Sequence, residues 1–214
     1  VATTLDRQAA IDRGILCPLR SLRVERDVAY LPKDRKEKAD LYFPKTIAPG
    51  AKLPAVIIIH GGGFNDGDKA RGRELNIAEN LTLKGYVCMS INYKLRRTQG
   101  QVTWPQSVYD AKAAVRYLRK EAATLGVDPE RIGVIGCFAG CNLAMMLATT
   151  GPADGFDAVK GEPYQDVSAR VACAVGFYGA VDLRSGEATL FAPRLPAEVC
   201  HLRPGCAPQP PADA

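Results

Sequence analysis

The chain has 214 residues, 47% of them hydrophobic and 24% charged, with a formal net charge of +5, which suits one α/β domain with a sizeable core rather than two. Its charges alternate in sign: Arg23, Arg26, Lys33 and Lys36 are interleaved with Glu25, Asp27, Asp34 and Glu37. That pattern describes a solvated mixed surface and argues against a nucleic-acid partner, which needs cations clustered on one face. No apolar run approaches the ~20 residues of a membrane span, and the first 22 residues lack the apolar middle of a signal peptide.

In chain order, residues 22–30 and 39–43 alternate as strands, the second stopped by Pro44. Residues 54–60 (Pro-Ala-Val-Ile-Ile-Ile-His) form a continuous β-branched run of the kind buried on both faces of a parallel sheet. A helix is expected over 73–84, ended by Gly85, and a strand over 86–92. Pro105 opens a helix whose apolar residues Val108, Ala111, Val115, Leu118, Ala122 and Leu125 step by three and four until Gly126 closes it. Residues 132–135, 139–148 and 171–177 then read as strand, helix and strand. This β-α-β-α-β-α-β order predicts a doubly wound, mainly parallel α/β sheet, on which ligands gather at the carboxyl ends of the strands.

Two glycine-rich turns fall at such ends. After the first buried strand comes His60-Gly61-Gly62-Gly63-Phe64. Unhindered backbone N–H groups there can be aimed at a carbonyl oxygen that gains negative charge during acyl transfer. No Gly-Lys-Ser/Thr ending follows to make it a phosphate cradle. The second turn, Gly136-Cys137-Phe138-Ala139-Gly140, has the glycine spacing of a hydrolase nucleophile elbow, with Phe138 at the vertex. A phenyl ring cannot attack a carbonyl. Its spacing also lacks the GxGxxG of a dinucleotide site.

The seven cysteines, Cys17, Cys88, Cys137, Cys141, Cys173, Cys200 and Cys206, are odd in number and irregularly spaced. They point to free thiols in a reducing compartment, so a cytoplasmic location is favoured with export left open. Cys88 and Cys173 lie in apolar runs and read as small core residues. Cys200, His201 and Cys206 do not make a metal site, since a tetrahedral ion needs four converging ligands and only one other histidine exists. Neither Cys137 nor Cys141 replaces a serine: one precedes the vertex and the other enters the first turn of the following helix.

With both turns identified, the chain resembles the α/β-hydrolase fold, in its esterase/lipase branch with HGGG loops, which includes hormone-sensitive-lipase-like and bacterial feruloyl- and acetyl-esterase-type enzymes. The likeness covers residues 24–183. It rests on Ala39-Asp-Leu-Tyr-Phe-Pro44, Ile59-His-Gly-Gly-Gly-Phe64, Ile91-Asn-Tyr93, the helix around Asp110, Asp128-Pro-Glu-Arg-Ile-Gly-Val-Ile-Gly136 and Phe177-Tyr-Gly179. The resemblance implies carboxylic-ester hydrolysis through an acyl-serine intermediate, with no metal or organic cofactor. It makes Gly62, Gly63 and Ala139 the oxyanion N–H donors and His60 a structural residue of the loop. Where the family has Gly-x-Ser-Ala-Gly-Gly, this chain has Phe138 for the serine and Cys141 for the last glycine, so it is expected to be inactive or nearly so. A noncatalytic protein binding an ester or acyl small molecule is the alternative.

The rest of a triad is not evident. Asp182 follows its strand too closely for the acid, and His201 is the candidate base only because the order Ser, acid, His is respected. Residues 184–214 are rich in Pro and Ala and have no clear period. The expected organisation is therefore a hydrolase-like domain over 1–183 and an irregular tail over 184–214, C-terminally truncated or frame-shifted relative to the family. The strand over 171–177 would then be an apolar edge open to self-association, with a homo-oligomer as one outcome.

Overall fold

The computed structural model describes residues 22–98, 101, 103–157, 161 and 163–180. Six strands form one sheet: β1 (Leu22–Val28), β2 (Ala39–Pro44), β3 (Leu53–Ile59), β4 (Val87–Ile91), β5 (Val127–Cys137) and β6 (Cys173–Phe177), in the spatial order β1-β2-β4-β3-β5-β6. The first two strands join antiparallel, and β4, β3, β5 and β6 run parallel. Each parallel step needs a crossover. Helices α1 (Gly72–Leu83), α2 (Gln106–Lys120) with the short α3 (Ala122–Leu125), and α4 (Ala139–Thr149) supply them.

The β-branched run of β3 is buried on both faces, as its composition predicts. Val56 and Ile58 pack with Ala78 of α1 on one face, and Ile57 and Ile59 with Val108, Val115 and Leu143 of α2 and α4 on the other. Alternate residues of a strand face opposite ways, so this central strand joins both halves of the core. β1, by contrast, exposes Arg23 and Arg26 at one margin of the sheet.

The single helix expected from Pro105 to Leu125 is interrupted. α2 ends at Lys120, and a separate turn, α3, leads to Gly126, which adopts φ 67. Apolar spacing continues across the break because both pieces line the same core, so periodicity alone does not reveal it. Strand β5 extends to Cys137 and reaches the elbow directly.

Cys88 is fully buried, and burial pushes its thiol up to about 12. Cys173 departs from its expected core position and is exposed. Its strand, β6, has no further strand beside it among the described residues, and Val175 and Phe177 are likewise exposed. An apolar run buried in a central strand is left open at an edge, the apolar margin that the sequence predicts.

Two buried acids brace the rim. The Asp110 carboxylate accepts from Arg35 Nη1 and Nη2 at 3.0 and 2.6 Å, from Lys94 N at 2.8 Å and from Gln106 Nε2 at 2.9 Å. Asp40 accepts from Lys69 Nζ at 2.8 Å and Asp27 N at 3.0 Å. Each buried acid is thus offset by a cation and backbone donors.

Candidate active site

Ile59 pairs with Gly136 across the parallel β3–β5 ladder, so the first glycine turn and the elbow leave the sheet side by side. Phe138 has φ 54 and ψ −113, a left-handed conformation in which a non-glycine residue is strained by about 1–3 kcal/mol. Its N–H donates to Phe177 O at 2.9 Å, and its carbonyl accepts from Cys141 N at 3.0 Å. The flanking glycines are demanded by close approach. A Cβ on Gly136 would fall on the Gly140 carbonyl, and one on Gly140 would fall on the Ile59 carbonyl. The sequence Gly-x-x-x-Gly therefore folds as an elbow because only hydrogen fits on both sides of the vertex.

In the first turn Gly62 adopts φ 126 and its carbonyl accepts from Asn65 N and Asp66 N at 3.1 and 3.0 Å. Among the described residues no acceptor pairs with the N–H groups of Gly62, Gly63 or Ala139. His60 is buried, its ring stacked on Tyr93 with centroids 4.5 Å apart, and its carbonyl accepts from Tyr93 Oη at 2.9 Å. Its Nδ1 lies 2.7 Å from Gly61 O, which assigns the proton to Nδ1 and leaves Nε2 as an acceptor. Burial pushes the His60 pKa down, so the ring is held neutral.

These two turns and the start of α1 enclose a cavity of about 240 Å³. Its walls are His60, Gly61 and Gly62, Phe138, Tyr178 after β6, and Arg71, Arg73 and Glu74. Glu74 is 1% exposed, burial raises its pKa, and its Oε2 has no hydrogen-bond partner among the described residues. Arg73 is exposed and its guanidinium carbon lies 5.5 Å from the centre of the Tyr178 ring. A larger hollow of about 600 Å³, lined by Lys52, Arg119 and Gly126, sits where β3 and β5 begin, at the opposite end of the strands from the turns. Volume alone does not mark the reactive rim; the strand ends do.

The fold brings Gly62, Gly63, Phe138 and Ala139 together on that rim. Asp182, His201, Cys200 and Cys206 lie outside the described residues. Cys137 and Cys141 are buried, and Cys141 packs so closely on β6 that its thiol crowds the positions a Cβ would take at Gly176 and Gly179. Burial raises the Cys141 pKa, disfavouring a thiolate there. Sequence reasoning missed Arg73, Glu74 and Tyr178. Tyr178 lay within a family-like stretch, while nothing in the local pattern of α1 directs its first turn at the elbow. Among the described residues no three of His, Cys, Asp and Glu are grouped to hold a metal ion, and no helix is long and apolar enough to cross a membrane.

A mostly parallel sheet with helical crossovers, carrying a glycine loop and an elbow on one rim, defines an α/β-hydrolase of the esterase/lipase class. The sequence profile of the BD-FAE family matches residues 39–194, and the chain belongs to that family. The match runs past residue 183, where the likeness read from the sequence stopped. Esterase LipQ of Mycobacterium tuberculosis is 29% identical over 161 residues, covering 75% of this chain and 36% of LipQ. Esterase LipC of the same organism is 31% identical over 134 residues, covering 63% of this chain and 32% of LipC. Among solved structures, the butyrate-bound esterase Est2 of Thermogutta terrifontis superposes with a TM-score of 0.65 at 29% identity, covering 78% of this chain and 57% of Est2. The chain thus spans about a third of these curated relatives.

Proposed function

We propose that this chain is a carboxylic-ester hydrolase scaffold that keeps the ligand pocket of its family and lacks the nucleophile, so that it is inactive or nearly so. The observation that carries this reading is Phe138, held at the elbow vertex at φ 54 and lining the cavity together with the glycine turn. In the family reaction a serine at this point would attack the ester carbonyl. The N–H groups of Gly62, Gly63 and Ala139 would hold the oxyanion, and an acyl-serine intermediate would follow. No metal or organic cofactor enters that chemistry. Among the described residues the N–H groups of Gly62, Gly63 and Ala139 meet no acceptor, which supports an oxyanion role, and butyrate bound to Est2 supports a pocket for short acyl groups.

The aromatic walls Phe138 and Tyr178 favour a second reading, a noncatalytic protein that retains an ester or acyl small molecule. The two readings separate on release of p-nitrophenol from its acetate and butyrate esters by the chain and by Phe138→Ser. Loss of the nucleophile costs on the order of a millionfold in turnover in the subtilisin case, so the chain itself is expected to give no more than a trace. Activity in Phe138→Ser alone would identify a base elsewhere in the chain, His201 being the candidate. Rapid turnover by the unaltered chain would overturn the assignment of Phe138 to the nucleophile position. Silence from both forms together with saturable ester binding would establish the binding protein.

A further inference from the structure

We propose that Arg73 makes the elbow cavity selective for ligands that carry a free carboxylate beside their ester, the monoesters of short dicarboxylic acids being the class that fits. This rests on the reading of the cavity as an ester or acyl pocket and adds the chemistry of the far end of the ligand.

Three charged side chains line the cavity, and they are not equivalent. Arg71 is committed: its Nη2 lies 2.6 Å from Asp66 Oδ2. Glu74 is buried within electrostatic reach of Arg73, but the two make no ion pair among the described residues, and burial favours the neutral form of Glu74. Arg73 has no carboxylate within ion-pair distance among the described residues, and its guanidinium is placed over the Tyr178 ring. The guanidinium also reaches the Cys137 side chain, and stacking of this kind orients the fork while leaving its remaining N–H groups for an acceptor.

The backbone adds the same sign. Arg71, at the N-cap of α1, supplies no side-chain cap, and the first helical turn begins with Leu75 N donating to Arg71 O. The N–H groups of residues 72–74 therefore add positive potential to the side of the cavity where Arg73 stands. The glycine turn lines the same cavity through Gly61 and Gly62, and among the described residues the N–H groups of Gly62 and Gly63 meet no acceptor, which suits an ester carbonyl. The rings of Phe138 and Tyr178 add apolar lining. A ligand that satisfies all three has an ester, a short methylene spacer and a carboxylate. The cavity volume of about 240 Å³ is below the ~300–1,000 Å³ typical of drug-sized ligands, which favours a small molecule.

The test is ligand-observed NMR titration of the full chain with monomethyl succinate, which is anionic, and methyl butyrate, its neutral analogue of similar length. The expected result is about tenfold tighter binding of monomethyl succinate, the scale of one charge-assisted contact. That preference should vanish in Arg73→Gln, return in part in Arg73→Lys, and persist in Arg71→Gln. Arg73 is exposed, so these variants should fold, and their melting temperatures check that they do. Equal binding of the two ligands by the unaltered chain, or a preference that survives Arg73→Gln or disappears with Arg71→Gln, overturns the selectivity and leaves the ester-pocket reading standing. Failure of both ligands to bind overturns that reading and the selectivity with it.

Discussion

The glycine turn after β3 and the elbow after β5 end neighbouring parallel strands, yet they are held by different means. The elbow is fixed by backbone contacts, its own and those of neighbouring strands: a Cβ on Gly136 would meet Gly140 O, one on Gly140 would meet Ile59 O, and Phe138 N donates to Phe177 O. The first turn is confined by backbone too, since a Cβ on Gly62 would fall on Asp66 O, but it depends in addition on distant side chains. Tyr93 supports His60 from the loop after β4, and Asp110 of α2 clamps that same loop through Lys94 N while binding Arg35. Elbow geometry can therefore outlive its chemistry, because these glycine contacts and backbone hydrogen bonds do not need a serine at the vertex. The glycine turn packs against it, a Cβ on Gly61 meeting Cys137 O and Phe138 Cβ, and leans further on Tyr93 and Asp110.

If backbone sterics dominate at the elbow, Gly140→Val should be the most damaging change. Its side chain would be driven into the Ile59 and His60 carbonyls, at a cost of more than about 4 kcal/mol, and urea denaturation should find no cooperative folded state. Asp110→Ala should come next, at about 1–3 kcal/mol, because it leaves the Lys94 N–H without its acceptor and takes from Arg35 one of its two carboxylate partners, Glu37 remaining. In hydrogen exchange it should loosen residues 60–67 more than 136–141. The reverse order would refute the distinction between the two turns.

Tyr93→Phe is a finer probe. It removes the donor to the buried His60 carbonyl, costs about 1 kcal/mol, and should increase exchange in the first turn alone. The smallest effect belongs to pH. Folded Glu74 holds its proton more tightly than the unfolded chain does, so its share of stability falls as pH rises above the ordinary glutamate value of about 4.3. His60 acts oppositely: folding resists its protonation, so stability present above about pH 6.5 is lost on acidification. Melting temperatures of Glu74→Gln should decline less than those of the unaltered chain between pH 4 and neutrality, about a 3-unit interval.

Much of this was legible in the sequence. The β-branched run of β3, the spacing of Val108, Ala111, Val115 and Leu118, and the glycines of both turns specify local structure through sterics and periodicity, which act over a few residues. The break between α2 and α3 was hidden because both segments present apolar residues to one core. Cys173 was misplaced because an apolar strand reads alike at the centre and the edge of a sheet.

By itself the sequence determined the order of strands and helices, the positions of the two turns and the absence of a serine at residue 138. Each of these follows from chain geometry or from the identity of one side chain. Only the tertiary structure decided that α1 opens its N-terminus onto the elbow, and that Arg73, Glu74 and Tyr178 share a cavity with Phe138. These depend on how crossovers pack across the sheet, which brings together residues more than 100 positions apart, such as Arg73 and Tyr178, and no local pattern records such meetings.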